Sequence, residues 1–108
     1  MAFSAVGPLY PKPTWYQNAA VAGQNLSVTT TASSQAAAFN VLTQMVMFDV
    51  KDSLVYVTVD GSSPTATGSV GHALAAGTNY TWARGMVEAA KFIGASAAAR
   101  IYFSEITS

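Results

Sequence analysis

A chain of 108 residues has room for one domain and no second one. Hydrophobic residues make up 51% of it and charged residues only 9%, against about 25% charged in an ordinary globular domain, which excludes the ionised exterior of a typical free-standing monomer. Five basic and five acidic residues balance to zero and are scattered along the chain, which excludes the clustered cationic footprint of a nucleic-acid binder, and with no cysteine there is no disulfide framework, thiolate metal site or thiol nucleophile.

In chain order, residues 1–24 differ from the rest. Met1-Ala2-Phe3 lacks the basic start and long apolar run of a signal peptide, and no apolar stretch approaches the ~20 residues that span a bilayer as a helix, so the expectation is a soluble protein made in the cytosol. Gly7-Pro8, Pro11 and Pro13 fix φ, remove backbone donors and push the preceding residues towards extended geometry. Phe3, Leu9, Tyr10, Trp15 and Tyr16 lie among them. A disordered tail has little use for five large apolar side chains, so residues 1–24 are expected to form an extended arm docked on its own core or on a neighbour.

From Asn25 the pattern turns period-two with regular punctuation. Leu26 to Thr31 reads as a strand, Ala32 to Gln35 as a connection, and Ala36 to Val41 as a weaker strand whose alanines equally suit a helix. Met45 to Val50 and Leu54 to Val59 are strands rich in β-branched and aromatic residues, and the short polar link Lys51-Asp52-Ser53 predicts that they form a hairpin. Asp60 to Ser69 is a loop by its Asp-Gly, serines, Pro64 and Gly68. Short strands follow at 71–74 and 79–82 with Ala75-Ala76-Gly77-Thr78 between them, then strands at 88–95 and 99–106. Met86, Ala89, Ala90 and Ile93 also fit one helical face, which leaves a short helix as the alternative there. The expected fold is all-β: an arm, then a β-sandwich or jelly-roll-like barrel of about seven or eight short strands over residues 25–108.

Little in the chain suits catalysis. The single histidine, His72, has no cysteine and few carboxylates to work with, and reads as a structural residue. Asp49, Asp52 and Asp60 lack the alternating pattern of a calcium loop, and Asp52 and Asp60 are better suited to capping turns through their own backbone. Ser62 and Ser63 stand outside any Gly-x-Ser-x-Gly setting, and Gly61, Gly68 and Gly71 are followed by no phosphate-loop lysine. Nothing pairs Glu88 with Glu105 as glycosidase acids. Trp15, Tyr80 and Trp82 are core or interface aromatics sooner than a stacking platform.

The run Val55-Tyr56-Val57-Thr58-Val59-Asp60-Gly61-Ser62-Ser63-Pro64-Thr65, then Gly71-His72-Ala73-Leu74-Ala75-Ala76-Gly77-Thr78-Asn79-Tyr80-Thr81-Trp82 and Ala90-Lys91-Phe92-Ile93, resembles small virion proteins of tailed bacteriophages. The resemblance covers residues 54–106 and leaves out the arm. It implies a β-sandwich or jelly-roll-like subunit with no catalytic residues to carry over; the residues themselves lead to the expectation of no cofactor and no metal. It further implies a place on the particle, as a capsid decoration (cement) protein or as a neck, adaptor or tail component. Asp60, Gly61, Pro64, Gly71 and Gly77 are then structural loop residues that set rigid turns. The expected partners are the major capsid protein or other virion subunits and further copies of the chain, as trimers, with no nucleic acid and no membrane. Pro11, Pro13, Trp15 and Tyr16 are the arm's candidate anchors. A glycan-binding module using Tyr80, Trp82 and the 60–69 loop is the alternative from a different class.

Overall fold

The computed structural model describes residues 16–17, 22–96 and 98–107. Pro11, Pro13 and Trp15 therefore lie outside the described residues, as does most of the predicted arm. The described chain is mostly β. Its elements are β1 (Tyr16–Gln17), β2 (Gln24–Val28), β3 (Met45–Lys51), β4 (Val55–Thr58), β5 (His72–Leu74), β6 (Asn79–Ala83), α1 (Arg84–Ala89), β7 (Lys91–Gly94) and β8 (Ala99–Thr107).

Two antiparallel sheets hold these strands. In the larger, β8 and β3 are central neighbours, β6 flanks β3, and both β1 and β2 pair with the far side of β8. β2 covers the first half of β8 (Val28 opposite Ala99, Gln24 opposite Phe103), and β1 covers its end (Gln17 opposite Ile106, Tyr16 opposite Thr107). The smaller sheet has the order β5-β4-β7.

Alternation decides what enters the core. Along β3, Val46, Phe48 and Val50 are buried while the intervening residues stay half-exposed, as a pleated strand with one packed face requires. Val28, Ile101 and Phe103 join them from the same sheet, and Val55, Val57, Leu74 and Phe92 come from the other, so both sheets share one apolar cluster. Phe48 is its hub: its ring meets Tyr80 (5.4 Å), Trp82 (4.9 Å), Phe103 (5.6 Å) and Phe92 (6.1 Å) between centroids.

Several expectations need correction. β3 and β4 are not a hairpin. β3 is paired on both sides, by β8 and β6, so no edge remains for β4, which pairs with β5 and β7 instead. The Lys51–Leu54 link is a corner between sheets, with Asp52 at φ 73°, and period-two patterning carries no information about which sheet a strand joins. Residues 36–41 form no strand. Alanines give a strand little to pack, and the segment is tied down by side chains instead: Gln24 bonds both the carbonyl and the N–H of Ala37 (3.2 and 3.1 Å), and Phe39 sits edge-on to Phe103 at 5.9 Å. Among the described residues the ladder contact nearby is Ser34 with Phe92, a mutual pair of 2.8 Å hydrogen bonds. The first long strand runs 24–28, not 26–31, because it ends where β8 begins. The 88–95 segment divides into the end of α1 and all of β7. Only Val87 of the helix is buried, and Met86 points outwards, contrary to the predicted helical face.

Candidate interaction surface

Strand directions sort the connections into two groups. The short links at one end are Asp52–Leu54, Ala75–Thr78 and the segment after Gly94. At the other end lie the turn preceding β3, the long β4–β5 loop and α1, together with the start of β1 and the end of β8. Among the described residues the exposed large aliphatic side chains are Val41, Leu42, Val59, Val70 and Met86. All five belong to this second end.

The turn before β3 is built around a buried acid. Glu105 on β8 is 3% exposed, and its Oε1 accepts from the Asn40 N–H at 2.8 Å and the Thr43 hydroxyl at 2.5 Å. The Asn40 side chain accepts from the Leu42 N–H (2.9 Å), its carbonyl accepts from the Thr43 N–H (3.0 Å), and the Thr107 hydroxyl donates to the Leu42 carbonyl (3.3 Å). A buried carboxylate is costly unless its lone pairs are used, so this network fixes one conformation of the turn. The consequence is exposure: Val41 is 79% and Leu42 67% accessible at the tip. Beside them a recess of about 480 Å³ runs between the tip, Thr43 and Gln44 and the Ala83–Gly85 stretch.

The β4–β5 loop makes the other half of this end. Asp60 accepts from the Ser62 hydroxyl (2.6 Å) and the Ser62 N–H (3.0 Å), the capping role expected of it. These bonds hold its carboxyl below the usual carboxylate range, the hydroxyl contributing most. The Thr58 hydroxyl donates to the Ser62 carbonyl at 2.5 Å, and Lys91 reaches the Gly61 carbonyl at 3.0 Å. Pro64 is buried beneath the loop and packs close to Gly71, which adopts φ +122°. Gly68, one of the residues that mark this loop in the sequence, is more constrained: at φ +81° its α-carbon faces the Tyr56 ring, where a Cβ would come within 2.7 Å. Asp60, Ser62 and His72 rim a shallow concavity of about 250 Å³ with Thr58, Val59, Val70 and Gly71. Gly77 lies elsewhere, in the Ala75–Thr78 turn at the opposite end, at φ +81°.

The structure therefore brings Asp60, Gly61, Pro64 and Gly71 into one loop and separates Gly77 from them. Tyr16 is the one predicted anchor among the described residues, where its backbone pairs with Thr107. Tyr80 and Trp82 turn inwards onto Phe48, which leaves little ring face for a sugar. Sequence reasoning missed the Val41–Leu42 tip because the segment reads as the end of a strand. Its one signal is Asn40 followed by two aliphatics and Thr43, which becomes meaningful only with Glu105 beneath it. Comparison with known proteins returns no match to a family model, a curated protein or a solved structure.

Proposed function

We propose that the chain is a non-enzymatic structural subunit of a tailed-phage particle, a capsid decoration protein of β-sandwich or jelly-roll type that braces the head shell through protein–protein contacts. The observation that carries this reading is the gathering of Val41, Leu42, Val59, Val70 and Met86 at one end of a molecule with only 9% charged residues. Aliphatic side chains concentrated in this way mark an interaction surface, and the Glu105 network holds the tip ready without the entropy cost of ordering a loose loop on binding. Tyr16 pairs with Thr107 in the larger sheet at this same end, which in this reading is where the arm reaching the major capsid protein or another copy sets out. In the same reading Pro11, Pro13 and Trp15 contribute contacts along that arm.

Mixing purified protein with shells assembled without it, then sedimenting them, tests the reading. Wild type is expected to co-sediment at micromolar concentration, and the Val41→Asp, Leu42→Asp double variant is expected to stay in the supernatant while keeping its β circular-dichroism spectrum. Wild type that ignores shells of every maturation state, and instead binds isolated neck or tail assemblies, moves the proposal to those positions.

A further inference from the structure

The outer edge of the larger sheet carries a second surface, which runs up to the apolar end. β6 (Asn79-Tyr80-Thr81-Trp82-Ala83) is paired with β3 on one side only. Val50 donates to the Thr78 carbonyl (3.2 Å) and Arg84 donates to the Gln44 carbonyl (3.0 Å), which fixes the alternation: residues 78, 80, 82 and 84 turn their backbone groups to β3, and Asn79, Thr81 and Ala83 turn theirs outwards. Among the described residues no backbone partner meets those outward groups. Exposed edges are normally blunted by lysine, proline or a bulge. β6 has none of these; its side chains are uncharged and its outward row is Asn, Thr and Ala.

We infer that β6 pairs antiparallel with β6 of a second copy of the chain, about a two-fold axis at Thr81. Two features at the ends of the strand single out this occupant. The N-terminal end carries the exposed, uncharged turn Ala75-Ala76-Gly77-Thr78, held firm by the Ala75 N–H to the Tyr80 hydroxyl (3.1 Å) and the Gly77 N–H to the Val50 carbonyl (2.8 Å). The C-terminal end adjoins the recess lined by Val41, Leu42, Gln44 and Ala83–Gly85. Antiparallel pairing sets Asn79 opposite Ala83, so the small-residue turn of each copy arrives at the recess of the other. A two-fold contact must be self-complementary in this way, knob and hollow on one edge, with the axis between them. Two five-residue strands by themselves bury less than the ~1,200 Å² of a stable interface, so the turn-to-recess contacts complete it and the pair forms in the micromolar range.

The inference stands apart from the virion reading, because a chain that ignores shells can still pair through β6. Sedimentation equilibrium over a concentration series of the full chain tests it, alongside amide exchange by NMR. A monomer–dimer equilibrium is expected, with protection of the Thr81 amide rising as protein concentration rises. Thr81→Pro removes an outward donor and no intramolecular bond, and Thr81→Lys places like charges across the axis; each is expected to weaken association on the order of tenfold or more. Circular dichroism checks that both variants are folded, and the lysine variant carries the test if the proline variant is not. A monomer at every concentration, a trimer, or a dimer indifferent to both substitutions overturns the inference.

Discussion

Glu105 shows how one side chain governs a surface it never reaches. Its Oε1 satisfies the Asn40 N–H and the Thr43 hydroxyl beneath the turn that displays Val41 and Leu42. Replacing it with alanine leaves both donors without their acceptor, which costs about 1–3 kcal/mol. Glu105→Gln keeps an acceptor oxygen in place and is expected to cost less than Glu105→Ala in urea unfolding, with amide exchange at Leu42 and Thr43 accelerated only in the alanine variant. Asp60 gives a pH-dependent counterpart. Its carboxyl is held low by Ser62, so the folded loop favours the ionised form. The contribution is therefore present above the carboxyl's unfolded value and is lost as pH falls through the lower folded value. Carboxyl-carbon NMR is expected to find the Asp60 midpoint below 3.8, and Ser62→Ala to raise it towards that value.

Among the elements, α1 is the weakest. It spans six residues from Arg84 to Ala89, has no side-chain N-cap bond, and anchors to the core through Val87 alone. The Arg84–Glu88 pair at 3.7 Å is a third exposed on each side and contributes little. Helices this short have almost no intrinsic stability, so packing and connection geometry hold it. Gly85 lies within it at ordinary helical backbone geometry, and a Cβ there would meet nothing within 4 Å. Gly85→Ala is expected to stabilise the protein by about 0.5–1 kcal/mol, read as a small rise in melting temperature, because it narrows the unfolded ensemble without a clash. β3 is the opposite case. It is paired on both sides and its inward row of Val46, Phe48 and Val50 meets both sheets.

Over the whole molecule, charge and shape act together. Balanced charges at 9% of the chain offer little long-range repulsion between copies. Among the described residues the large aliphatic side chains left exposed are gathered at one end, and the uncharged β6 edge runs up to it. Adding two acids at Val41 and Leu42 acts on solubility more than on stability, since both side chains already face water. The double aspartate variant is thus expected to unfold within about 0.5 kcal/mol of wild type. It should also reach a higher concentration before precipitating, measured by light scattering.

The sequence by itself determined the β character, most strand positions and the turn chemistry. The residues of β3, β4 and β8 alternate, and Asp60-Gly61 with Pro64 stops a strand whatever lies around it. The low charge was equally legible. Only the tertiary structure decided partnership: that β3 and β4 belong to different sheets, that Gly77 lies far from Gly61 and Gly71, and that Tyr80 and Trp82 face the core. Local propensity and alternation act within a few residues, whereas the choice of sheet depends on which edges remain unpaired once β8 has taken β2 on one side and β3 on the other. The Val41–Leu42 tip exists for the same reason, because the carboxylate that shapes it comes from a strand more than sixty residues away.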